Sequence, residues 1–347
     1  MSNKKYQSGM SLIELMIAMV LGLVLAGGAI QIFISSKATY GLENALSRLQ
    51  ETGRFVVDTL AKEVRMAGYM GCSSRGNITP SVLALETPPL TATSANGITG
   101  YNYNTGSDWN PDLPSYITSA TGLNASVSNG SDVMIIQRAS ECGAYLTGNM
   151  TADNANVQVV NPNTCGFDQN DVVMITDCAS SDVFAISSTP TSGSGQETLA
   201  HANNVNSDNK LSKIYGPDSF VATFFSEVFF IGTGASGEPA LYEGSWDPAA
   251  AANYDLSELA DGVEDMQILY GEDTGGGNEY ADTYVTADSV ADWTNVRSVR
   301  VNLLLRSEDG VTSAPRTINF NGGTKGGADR RLRMVYTSTI TIRNRLP

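Results

Sequence analysis

The sequence predicts an α+β fold: one long N-terminal helix, from about Ser11 to about Ala67, packed on a C-terminal antiparallel β-sheet domain with long loops. Three observations predict it. From Met10 to Ile34 the only ionisable side chain is Glu14; apolar residues then recur at spacings of three and four as far as Val64; and the last third alternates apolar and polar residues in separate runs.

Charge divides the 347-residue chain. Its 36 acidic and 21 basic residues give a formal charge of −15. Up to Gly71 there are seven Lys/Arg and five Asp/Glu, a net of +2; the remaining 14 and 31 give −17. No nucleic acid is expected as a partner, because bulk positive charge is missing where the chain is largest. At 41% hydrophobic and 16% charged residues the composition is globular, with length enough for a core that needs no metal or disulfide support. His201 is the single histidine, so most His-based chemistry lacks its parts.

Residues 1–9, MSNKKYQSG, form a polar leader whose Lys4 and Lys5 stay cytoplasmic and send the remainder outward. Residues 10–34 rise roughly 37 Å as a helix, enough for a bilayer core of about 30 Å. An ordinary secretory signal, cut near Ala26-Gly27-Gly28-Ala29, and a plain signal anchor both compete for this run. Neither explains Glu14, since an isolated charge there costs about 2.5 to 3.5 kcal/mol on insertion scales.

Residues 35–71 continue the helix in amphipathic form, with Leu42, Leu46, Leu49, Val56, Val57, Leu60 and Val64 on the core face. Gly27-Gly28 and Gly53 are the expected bends and Gly68 the expected stop. Residues 72–347 form the β-rich body. Glu86 to Gly130 reads as long surface loops with short strands. Strands are expected at 132–138, 157–160, 171–176 and 183–187, with an exposed loop from Ser187 to Asp208. Phe220 to Ile231 and Ala240 to Gly244 read as a hairpin. Met266, Ile268 and Tyr270 alternate, as do Val299 to Leu305 and Met334 to Ile342.

The segment Gly9-Met10-Ser11-Leu12-Ile13-Glu14-Leu15 resembles the type IV prepilin (class III) signal. The resemblance implies that a dedicated peptidase cuts between Gly9 and Met10 and methylates the Met10 amine. It also implies that Glu14 is the assembly carboxylate, docking on the amine of a neighbouring subunit. Met10 departs from the Phe most often found there. LAKEVRMAGYMGC at 60–72, Leu259 to Gln267, Val299 to Arg306 and the closing Ile342 to Arg345 narrow the resemblance to PilW-type minor pilins; the segment from Glu86 to Gly130 carries none.

The resemblance implies a pilin-like fold and a structural role, not an enzyme: priming pilus assembly in a tip-proximal minor pilin complex, with adhesion and twitching motility as outcomes. The implied partners are other minor pilins and the major pilin, the inner-membrane assembly platform, the prepilin peptidase, and a possible tip adhesin. The implied location is the inner membrane, spanned once by Met10 to Ile34 with a periplasmic body, and afterwards the pilus. A J-type pseudopilin of type II secretion is the nearest rival. An anchored periplasmic enzyme and a DNA-uptake pilin using the five arginines between Arg330 and Arg345 are further readings, opposed by the absent catalytic motifs and the −17 balance.

The cysteines Cys72, Cys142, Cys165 and Cys178 lie beyond the anchor, in an oxidising space for this topology. Four allow three pairings; Cys72–Cys142 with Cys165–Cys178 is the favoured one, with free thiols the alternative. No C-x-x-C spacing supports zinc. Gly232 to Gly237 matches G-x-G-x-x-G, but a returning strand follows where a dinucleotide site needs a helix. Glu272 to Asp282 resembles an eroded calcium loop of the kind some PilW-like proteins carry, with Asp273, Asn278, Glu279 and Asp282 as candidate ligands. A flexible hairpin loop is the competing reading, because glycines stand where side-chain ligands belong. No other cofactor is expected.

Overall fold

The computed structural model describes residues 9–71, 80–85, 97–104, 108–113, 127–128, 130–246, 254–275 and 280–345. One helix, α1 (Leu12–Met66), runs unbroken for 55 residues, roughly 80 Å. Its apolar first half is buried against nothing in the chain. It stops where expected: Ala67 caps it, and Gly68, at φ 70°, donates its N–H to Gln137 O at 2.9 Å. Only glycine fits opposite it, at position 97, because a Cβ on Gly97 would lie 2.1 Å from Gly68 Cα.

The second half of α1 buries Ala45, Leu49, Val56, Leu60 and Val64. Leu42 and Leu46, expected on the core face, are 39% and 38% exposed, because the body starts only at about Ala45 and the helix below overhangs it. At Gly53, expected as a bend, the helix continues, and the Tyr336 ring fills the place of a side chain.

The surface that receives this face is a four-stranded antiparallel C-terminal sheet, in the order Thr283–Val285, Val263–Glu272, Val296–Arg306, Arg333–Thr341. Met266, Ile268, Val299, Val301, Leu303 and Ile340 point at α1, as the period-two alternation requires. Each fully buried aliphatic side chain contributes roughly 1.5–3 kcal/mol. The last strand runs alongside α1 in the same direction. Tyr336 Oη donates to Leu49 O at 3.1 Å, while Asn344 beyond the strand reaches Met66 O and Ala67 O at 3.4 and 3.3 Å.

A ten-stranded sheet fills most of the remaining body, organised around Phe220–Thr233. That strand pairs with Val133–Ala139 and Val172–Thr176 and forms the expected hairpin with Pro239–Trp246, turning at Gly237 (φ 84°). The G-x-G-x-x-G stretch is this turn. Ser187 to Asp208 departs from the exposed loop expected: Thr191–Gly193 and Gln196–Leu199 join Val157–Val160 in a three-stranded sheet over buried Leu199.

Buried polar groups hold the layers together. Asp132 accepts from Tyr103 N at 2.9 Å and Ile268 N at 2.8 Å, bridging the large and C-terminal sheets. Arg138 links α1 to the large sheet, with Nη2 at 2.7 Å from Glu63 and 3.2 Å from Glu227. Burial pushes the Glu227 carboxyl up to about 8 against the pull of Arg138.

Candidate functional site

The N-terminal end of α1 carries the sequence-predicted assembly residues. Gly9 and Met10 precede the helix outside any helix or strand, and Met10 is 70% exposed. A Cβ on Gly9 would meet nothing within 4 Å, and its φ lies outside the left-handed region, so the fold itself does not require glycine there.

Ser11 caps α1. Its Oγ accepts from Glu14 N at 3.3 Å, and Glu14 Oε2 accepts from Ser11 N at 3.0 Å and Ser11 Oγ at 3.1 Å. This reciprocal capping box satisfies donors that a helix start leaves orphaned. The reading of Glu14 as a docking group alone missed it, although the Ser-x-x-Glu spacing signals it. The box uses no atom of Gly9 or Met10, and Oε1 takes part in none of its bonds. Glu14 therefore has a local role at the start of an exposed apolar helix.

The cysteine pairing departs from expectation. Cys142 and Cys165 form a disulfide with Cα atoms 5.3 Å apart, and Cys178 is disulfide-bonded too; Cys72 lies outside the described residues. The expected Cys165–Cys178 bridge is excluded because the Cys165 sulfur is bonded to Cys142. Phe220 pairs with Tyr145 on one side and Thr176 on the other, which keeps Cys142 and Cys178 apart.

The carboxylates of the candidate calcium loop are turned to other uses. Asp273 faces Arg297 at 3.6 Å, and Asp282 Oδ2 accepts from Thr274 N at 3.0 Å and Gly275 N at 2.7 Å. Asn278 and Glu279 lie outside the described residues. Among the described residues no three His, Cys, Asp or Glu side chains converge on a metal position.

The arginines near the C-terminus are similarly engaged. Arg331 pairs with Glu238, Arg333 Nε with Glu264 and Nη2 with Asp329 at 2.6 Å each, and Arg345 donates to Trp293 O and Val296 O. Asp329 is held down to about 2 by Arg333.

Two family models match. The prokaryotic N-terminal methylation motif covers residues 4–30, and Type IV Pilus-assembly protein W, or PilW, covers residues 228–344. No curated protein matches. Among solved structures, a type IV-like pilin from Thermus thermophilus superposes over 86% of this chain and 98% of its own. At 11% identity and a TM-score of 0.33 that superposition carries no argument.

The prepilin signal, the long apolar helix and the antiparallel sheet on its second half define a type IV pilin-like protein. Residues 228–344, about a third of the chain, are similar to the PilW family.

Proposed function

We propose that this chain primes type IV pilus assembly as part of a tip-proximal minor pilin complex, supporting adhesion and motility. The observation that carries the reading is the exposed apolar half of α1, which opens on a single carboxylate directly after an unstructured Gly9-Met10. A peptidase with access to that segment cuts after Gly9 and methylates Met10. The apolar helix stacks beside those of neighbouring subunits, and Glu14 pairs with a neighbour's N-terminal amine, which compensates the charge that lipid would penalise. Other minor pilins, the major pilin, the assembly platform and a tip adhesin are the partners. The body of residues 72–347 lies on the periplasmic side, and the protein passes from inner membrane to pilus.

Glu14→Val tests this docking. The variant retains its anchor, because Val suits lipid better than Glu, so membrane abundance stays at the wild-type level while incorporation into sheared fibres and recovery of other minor pilins are lost. Glu14→Asp, one methylene shorter, is intermediate. Wild-type incorporation of Glu14→Val would overturn the docking role.

A further inference from the structure

We propose that the joint between the last turns of α1 and the large sheet is a proton-operated latch: Arg138 is held between Glu63 and Glu227 while Glu227 carries a proton, and loss of that proton loosens the helix end. The inference goes beyond the pilin reading and concerns a part of the chain remote from Glu14.

The joint is built from three side chains on three elements. Glu63 on α1 and Glu227 on Phe220–Thr233 are 6% and 7% exposed, and Arg138 on Val133–Ala139 reaches both. Arg138 Nε donates to Glu63 Oε2 at 2.9 Å, and its Nη2 stands 2.7 Å from the same oxygen and 3.2 Å from Glu227 Oε1. Glu63 therefore takes two contacts from the guanidinium and Glu227 one. Glu227 Oε2 is buried and meets no donor among the described residues. On either side of Arg138 the backbone pins the helix end to the same strand: Gly68 N donates to Gln137 O, and Ala139 N donates to Tyr69 O. A change of charge at Arg138 thus acts where α1 is attached.

Two carboxylates on one guanidinium leave the group with one negative charge in excess. A buried excess charge is strongly disfavoured, and a buried carboxyl answers by keeping its proton. The other charges facing the group do not cancel the excess. Lys62 approaches Glu63 Oε1 at 3.7 Å, but its side chain is 76% exposed, so water and salt screen it. Glu243, half-buried on Pro239–Trp246, adds a further negative field. Because Glu63 has the firmer hold on Arg138, Glu227 is the group that stays protonated, and its donor-free Oε2 is the oxygen that carries the proton. Burial accordingly raises the Glu227 carboxyl to about 8 over the opposing pull of Arg138, with Glu63 and Glu243 adding to the rise.

The closed joint therefore holds a proton that the opened joint, where Glu227 regains its ordinary value of 4.5, gives up. Closure is fully supported below about pH 4.5 and weakens as the pH rises to 8, by up to about tenfold in the opening equilibrium per pH unit. The response is local because the elements differ in how they are held. Val133–Ala139 and Phe220–Thr233, which carry Arg138 and Glu227, are paired with strands on both sides. The turn of α1 that carries Glu63 also carries Lys62, already in solvent, so lifting that turn hydrates the excess charge while the strands stay paired.

The test is amide hydrogen exchange of the full chain in detergent between about pH 6 and 8, corrected for the change of the chemical exchange rate with pH. Opening of residues 60–67 should rise with pH by up to about tenfold per unit, and at pH 8 these residues should open at least about tenfold more readily than Val296–Arg306. Glu227→Gln, neutral at every pH, should remove the slope at residues 60–67, and Glu243→Gln, which leaves both Arg138 contacts in place, should retain it. Glu63→Gln leaves Arg138 a single carboxylate and should also remove the slope, so the latch is tested even where Glu227→Gln fails to fold. A flat response in the wild-type chain, or a wild-type slope in Glu227→Gln or Glu63→Gln, would overturn the proposal. So would equal opening of residues 60–67 and Val296–Arg306 at pH 8, which would report unfolding of the whole body in place of release of the helix end.

Discussion

Gly53 holds its place because a ring occupies the space a side chain would need. A Cβ there would lie 2.3 Å from Tyr336 Cζ, and the ring is tethered through its hydroxyl to Leu49 O. Gly53→Ala gains about 1 kcal/mol of helix propensity and incurs about 1–3 kcal/mol of overpacking. Its thermal unfolding in detergent should fall below wild type, while Gly27→Ala, in open space, should not fall. Glu227 supplies a pH signature. Its folded value near 8 lies above its ordinary 4.5, so the stability it contributes is complete below about pH 4.5 and is lost as pH rises toward 8. Asp132, pushed up to about 7 by burial, acts with the same sign. Glu227→Gln should flatten the decline in melting temperature between pH 5 and 8, and an unchanged slope would refute the assignment. The N-terminal methylation motif was legible in the sequence because its signal is local. Arg138 was not, since its partners Glu63 and Glu227 stand 75 and 89 positions away.

Among the elements, α1 was legible almost to its ends because a 3.6-residue period over so long a run has no competing explanation. Val263–Glu272 and Val296–Arg306 were legible because one buried face leaves a period-two pattern along much of each strand, and Val133–Ala139, buried on both faces, because it opens on an apolar run. Thr191–Gly193 is exposed throughout and Gln196–Leu199 buries one residue, so neither leaves a period to read. Tyr254–Asp261 buries only Tyr254 and Ala260 and was hidden for the same reason. Cysteine pairing is a property of the sheet order, which no local pattern encodes. Peptide mapping without reductant should recover Cys142 linked to Cys165, and a Cys142→Ser/Cys165→Ser variant should lose about 3 kcal/mol for a loop of 23 residues. A Cys165–Cys178 peptide would contradict the strand arrangement around Phe220.

The whole molecule divides by charge and by covering. Residues up to Gly71 carry a net charge of +2 and include α1, half of it without any partner within the chain, and the acidic remainder builds four sheets among the described residues, around separate cores. A helix of this length with so much bare apolar surface is stable only in lipid or beside other such helices. The body is anchored to it by the Ala45-to-Val64 face, by Arg138 and by Tyr336, so a displacement of the helix carries the sheets with it. The central claim is that the bare half belongs to a processed pilin. Its most direct test is mass spectrometry of the mature N-terminus from membranes of cells expressing the prepilin peptidase. The account predicts a chain beginning at N-methylated Met10, and a leader that stays attached in Gly9→Val. A chain beginning near Ala29, or one that retains residues 1–9 beside an active peptidase, would contradict it.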